Sequence, residues 1–97
     1  MRLGNVAAEP VALTVAMLSY SEQEAEIQVG VSATGHHNSL PLKTTLAVLD
    51  EWEQQIMKDR AKENEGAVLL SFKGKPGEQF KVRVSLGSQS ITEAFVI

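Results

Sequence analysis

The stretch from Leu42 to Gly66 constrains the fold more than any other part of the chain. It is the only segment long and periodic enough to read as a substantial helix. Leu42, Leu46, Leu49, Trp52, Ile56 and Met57 recur at three- and four-residue steps, which places them on one helical face. Pro41 fixes its own φ and pushes Leu40 out of helical conformation, so the helix begins at Pro41 or later, with Thr44 or Thr45 as its N-cap. Asp50, Glu51 and Glu53 precede Lys58, Arg60 and Lys62, the order that the helix dipole favours. Asn64 and Gly66 supply a C-terminal stop. The opposite face, with Gln54, Gln55 and Glu65, reads as solvated.

The rest of the chain reads as short strands. Residues 1–10 form a loose lead-in that ends at Pro10. Val11 to Tyr20 alternates with little polarity on either face, which suits a central strand. Glu24 to Thr34 alternates cleanly, with Ala25, Ile27, Val29, Val31 and Ala33 inward, and pairs with the first strand through a turn at Ser21-Glu22-Gln23. Ala67 to Lys73 is a third strand. Lys75-Pro76-Gly77-Glu78 has the proline and glycine of a type II turn, and Gln79 to Leu86 follows with Phe80, Val82, Val84 and Leu86 inward. Gly87-Ser88 turns the chain into the last strand, Ile91 to Ile97.

The expected fold class is therefore α+β: a five-stranded antiparallel sheet with one helix on one face, in the order β-β-α-β-β-β. A spatial order 2-1-5-4-3 sets the two most apolar strands, the first and fifth, side by side. That order resembles the sheet of PAS, profilin and Roadblock-type domains. In this arrangement Leu49, Trp52 and Ile56 pack on Ile27, Val29, Val82 and Val84.

Ninety-seven residues make one domain with a small core. With 43% hydrophobic and 22% charged residues the chain is not disordered in composition. The absence of cysteine removes disulfide frameworks and thiolate chemistry and fits the cytoplasm. A net charge of −3 argues against nucleic acid as the main partner. Arg2 and the apolar run Val11 to Leu18 do not make a signal peptide, because Glu9 and Pro10 interrupt the approach. The run is also shorter than the roughly 20 residues that a membrane span needs.

No catalytic, cofactor or metal motif stands out. His36-His37 is a loop pair without the further ligands that a metal site requires. Ser39 lacks a visible orienting group for a nucleophile–base pair. Gly74-Lys75-Pro76-Gly77 has the letters of the GxxG loop of KH domains, but it joins strands and contains the proline of a turn. Lys73, Lys75, Lys81 and Arg83 make the 73–83 segment basic, while Glu22, Glu24 and Glu26 make the first hairpin acidic. Phe72 and Phe80 point inward and cannot stack on bases, so single-stranded nucleic-acid binding is a secondary reading.

The last strand sets a fork. A two-residue turn at Gly87-Ser88 pairs Val84 with Ile91, Phe80 with Phe95 and Val82 with Glu93, which drives a carboxylate inward. A turn extended through Gln89 flips every side chain and sets Arg83 against Glu93 on the outer surface. The second register is favoured because it pairs a charge instead of burying one. It leaves Ile91, Phe95 and Ile97 beside Leu18 and Tyr20 on a helix-free sheet face, an apolar patch of the kind that a partner covers. The expectation is a non-enzymatic protein-interaction module, either a homodimer or one part of a complex with another protein. Lys73, Lys75, Lys81, Arg83 and Glu93 are its candidate charged contacts, and no cofactor is implied. The alternatives are a PAS-like small-molecule sensor and a nucleic-acid binder.

Overall fold

A computed structural model of the chain describes residues 5–6, 9–33, 39–41, 43–62 and 64–97. The described residues form eight strands: β1 (Asn5–Val6), β2 (Glu9–Tyr20), β3 (Ala25–Ala33), β4 (Thr45–Asp50), β5 (Gln55–Arg60), β6 (Ala67–Gly74), β7 (Gln79–Leu86) and β8 (Gln89–Val96). All pairings are antiparallel. The first sheet has the order β1-β2-β3-β6 and the second β5-β4-β7-β8. β1 is a two-residue stub that pairs only with Glu9 and Pro10.

The alternation in β2 and β3 builds half of the core. Val11 lies opposite Ala33, Leu13 opposite Val31 and Val15 opposite Val29. Val11, Leu13, Ala25, Ile27, Val29 and Val31 are buried. The second sheet answers with Leu46 and Val48 from β4 and Phe80, Val82 and Val84 from β7, and all of them join one cluster with Val68, Leu40 and Ala61. Two apolar sheet faces thus cover each other, the β-sandwich solution to burying a sheet. Each fully buried valine or leucine contributes about 1.5–3 kcal/mol. Phe72 of β6 meets Phe80 of β7 edge-on across the sheets, with ring centroids 5.1 Å apart and planes at 73°.

The expected α+β class is overturned: among the described residues there is no helix. Within the 42–66 stretch, where Leu42 and Glu63 fall outside the described residues, the chain forms β4, a tight turn and β5. Leu46 and Leu49 are both buried, but only Leu46 joins the core cluster, and Trp52 is 75% and Ile56 52% exposed. Trp52 sits at the hairpin tip. Ile56 is the extra residue of a bulge, since Val48 faces Met57 and Leu49 faces Gln55. The turn follows the three-residue plan of a type I turn and a left-handed third residue. Asp50 anchors it: its carbonyl accepts the Glu53 N–H at 3.0 Å, and its Oδ1 accepts the N–H of Trp52 at 2.9 Å and of Gln54 at 2.8 Å. Glu53 takes the left-handed position, with φ 64°. Thr44 caps no helix; it is fully buried and donates its hydroxyl to the Pro41 carbonyl at 2.7 Å.

With the helix goes the five-stranded order 2-1-5-4-3 and the likeness to PAS, profilin and Roadblock-type sheets. The turn at 75–78 forms as expected, with the Glu78 N–H bonded to the Lys75 carbonyl and Gly77 at φ 90°. It joins the two sheets instead of closing a hairpin: β6 pairs with β3, and β7 with β4 and β8. The strand Val11–Tyr20 lies outside β3 and is not central.

The last strand takes the two-residue register, which overturns the favoured one. Val84 faces Ile91, Val82 faces Glu93 and Phe80 faces Phe95. Gly87 has φ 62° while Ser88 does not, as a type II′ turn demands. Glu93 shares the inward side of β8 with Ile91 and Phe95, but β8 is an edge strand and the side chain stays only half-buried. No buried side-chain nitrogen or oxygen among the described residues lacks a hydrogen-bond partner. The edge position lowers the desolvation penalty that weighed against this register.

Candidate functional site

The far end of β2 carries the clearest surface anomaly. Met17 is 50%, Leu18 51% and Tyr20 60% exposed. Met17 lies opposite Ile27, and the ladder slips between Met17 and Ser19, so that Leu18 is the extra residue of a bulge and projects. Ser21 closes the hairpin by accepting the N–H of Glu24 at 3.1 Å and of Gln23 at 3.3 Å on its hydroxyl. The acidic residues Glu22 and Glu24 stand exposed beside this apolar end.

β2 is also an outer strand. Among the described residues nothing pairs with its free edge beyond Pro10. Outer strands usually carry charges that discourage pairing. β5 has Lys58, Asp59 and Arg60, β6 has Lys73, and β8 has the inward-turned Glu93. β2 has no charged residue from Pro10 to Tyr20. The combination of an uncharged edge and exposed large apolar side chains is what an added strand or an apolar partner surface would use.

Of the expected interface, Leu18 and Tyr20 are exposed together on β2. Ile91, Phe95 and Ile97 are not with them: they are half-buried and pack against the core cluster. Phe95 stacks on Phe80, with centroids 5.3 Å apart. These five residues do not share one sheet face, because Leu18 and Tyr20 lie on β2 of the first sheet while Ile91 and Phe95 lie on β8 of the second, with Ile97 just beyond it. Met17 shares a face with Val11, Leu13 and Val15 in the alternation, and nothing in that pattern shows that the sandwich ends before it.

The charged candidates are likewise dispersed. Lys73 approaches Glu24 at 3.9 Å on the first sheet, and Lys75 lies on the turn between sheets. Lys81 and Arg83 project from the second sheet and share Glu53, at 3.2 and 3.4 Å. Arg83 also donates from Nε to the Thr92 hydroxyl at 3.1 Å, so its partner is Glu53 and not Glu93. Phe72 and Phe80 lie against the core. His36 and His37 fall outside the described residues. Among the described residues no group of three or more histidine, cysteine, aspartate or glutamate side chains is placed to hold a metal ion. No helix among them is long and apolar enough to cross a membrane.

Glu53 escaped the sequence reading because a helical register makes it a rim residue. A glutamate at φ 64° is strained by about 1–2 kcal/mol, and its two exposed ion pairs are each worth less than about 1 kcal/mol. Glu53→Gly removes both. At low salt the net change in stability is expected to stay within about 1 kcal/mol. With rising salt the variant gains on the parent chain, since screening weakens only the parent's ion pairs. Thermal unfolding at several salt concentrations measures this; a difference flat in salt would show that the pairs contribute nothing.

The chain matches the family described as "Protein of unknown function (DUF1822)" over residues 2–96. No curated protein matches it.

Proposed function

The chain belongs to the DUF1822 family, and we propose that it is a small non-enzymatic protein-interaction module of the cytoplasm: an adaptor, an inhibitor or a subunit of a larger assembly. Its partner is a second copy or another protein, engaged at the outer end of β2. The observation that carries this reading is the uncharged β2 edge ending in exposed Met17, Leu18 and Tyr20. An edge of that kind is a template for main-chain pairing, and the apolar side chains beside it supply area to bury. The neighbouring Glu22 and Glu24 would orient a partner more than they would hold it.

Leu18→Lys and Tyr20→Lys test the proposal, because both side chains are exposed and their replacement should alter stability by no more than about 0.5 kcal/mol. Light scattering and pull-down from the native host are expected to show association by the parent chain that both variants lose. Val96→Lys, at a 67% exposed position on β8, is expected to retain it. A monomeric parent chain that captures nothing, or variants that associate as the parent does, would sink the reading.

A further inference from the structure

The outer face of the second sheet gathers positive charge that the net charge of −3 conceals. Residues directly opposite each other on antiparallel strands share a face. Thr45 of β4 lies opposite Arg60 of β5 on one side and Ser85 of β7 on the other. Ala47 lies opposite Lys58 and Arg83 in the same way, and Leu49 opposite Lys81. Leu46, Val48, Val82 and Val84 fill the core side, so Arg60, Lys58, Lys81 and Arg83 stand together on the outer side. Rows two residues apart are about 7 Å apart, and β5 and β7 are about 10 Å apart across β4.

The two ends of this face differ. At the hairpin end Glu53 engages both Lys81 and Arg83. At the other end Lys43, Thr45, Arg60, Ser85 and Gly87 line an open cavity of about 310 Å³, and no carboxylate is among these residues. Asp59, beside Arg60 in sequence, lies opposite Leu46 and so belongs to the other side of the strand; its Oδ1 accepts the Arg60 N–H at 2.8 Å. Lys43 adopts φ 72°, and the Thr45 hydroxyl donates to its carbonyl at 3.1 Å, which ties the lysine to the mouth of the cavity. An arginine, a lysine and a serine thus line one concavity, with a guanidinium, an ammonium and a hydroxyl to offer.

We propose that this corner binds a phosphate group. Arginine offers a planar fork of donors, lysine a point charge, and serine a neutral donor, and together they match an oxyanion that carries more than one charge and presents oxygens in several directions. A carboxylate would be satisfied by the guanidinium alone. The cavity is at the lower limit for small-molecule sites, enough for a phosphate and part of the group that bears it. Lys58, one row along the same face, extends the positive field for a ligand with more than one phosphate. This site is separate from the β2 edge, and neither reading depends on the other.

Titration of the full chain at low salt with inorganic tripolyphosphate, and separately with a short oligothymidylate, tests the proposal. Amide shifts at residues 43–45, 60 and 85–88 report the location, and calorimetry reports the affinity. Lys43→Glu with Arg60→Glu is expected to weaken binding about tenfold or more, the loss of charged hydrogen bonds. Both positions are exposed, and unchanged thermal unfolding confirms that the variant folds. Lys75→Glu, a reversal on the turn between the sheets, is expected to leave affinity unchanged. Tripolyphosphate binding without oligonucleotide binding identifies terminal or condensed phosphate as the source. Oligonucleotide binding with the same shifts and a steep salt dependence identifies a phosphodiester backbone. No shift at these amides with either probe overturns the proposal, as does a Lys75→Glu loss equal to that of the corner variant.

Discussion

Leu46→Ala is expected to cost roughly 2–5 kcal/mol, while Trp52→Ala and Ile56→Ala cost no more than about half a kcal/mol. Leu46 is fully buried, opposite Val84, in the cluster shared by both sheets. Removing its isobutyl group leaves a cavity that the flanking β5 and β7 cannot close without breaking their ladders. Against a total stability on the order of 5–15 kcal/mol, that loss would unfold much of a marginal domain. Trp52 and Ile56, at the turn tip and the bulge, have mostly solvent to lose. Urea unfolding of the three variants separates the two architectures. One amphipathic helix would penalise all three together, because it carries them on one stripe. The sandwich penalises Leu46 alone among them. A Leu46→Ala loss below about 0.5 kcal/mol would show that the two sheets do not share a core there.

The helix reading of 42–66 had local chemistry on its side. Leucine, alanine, glutamate, glutamine, methionine and lysine dominate the stretch, and all favour helices. Three- and four-residue spacing of apolar residues also arises by coincidence when two short strands flank a turn. Leu46 and Leu49 are buried on opposite sides of β4, and only the helical projection places them together. The decisive missing signal was the turn itself. Asp50-Glu51-Trp52-Glu53-Gln54 contains neither glycine nor proline, and its left-handed position is filled by a glutamate. The Asp50 side chain closes this turn from within, and only the aspartate hinted at it.

Where glycine or proline marked the turn, the strands were legible. Gly87 and Pro76-Gly77 bound β7 correctly, and the β2–β3 hairpin follows from alternation alone. What the turn residues could not convey is the sheet to which the chain returns. A tight turn at 75–78 serves a hairpin and a crossing between sheets equally well. One geometric clue was available: five half-apolar strands and one helix leave a sheet face uncovered, whereas two sheets cover each other. The same ambiguity misplaced the expected interface. Leu18 and Tyr20 belong to a strand that reads as central but are exposed on an outer one, and alternation does not say which strand lies at an edge.

Phe95→Lys is expected to cost roughly 2–4 kcal/mol. In the two-residue register Phe95 faces Phe80, and the rings stack at 5.3 Å with planes 21° apart. Phe80 is 4% exposed and meets Phe72 edge-on, so the three rings run from β8 through β7 to β6 and tie the two sheets together. A lysine at position 95 loses the stack and brings an ammonium beside the core. The half-buried edge position lets its stem reach water, which keeps the loss below that of a fully buried charge. Phe95→Leu, which keeps apolar volume, is expected to recover more than half of the lost stability. Had the turn extended through Gln89, Phe95 would point outward, and Phe95→Lys would abolish association while leaving the fold intact. Circular dichroism melts and light scattering on the same samples therefore decide the register. A variant that melts with the parent chain but no longer associates would return Phe95 to an interface and overturn the observed pairing of β7 with β8.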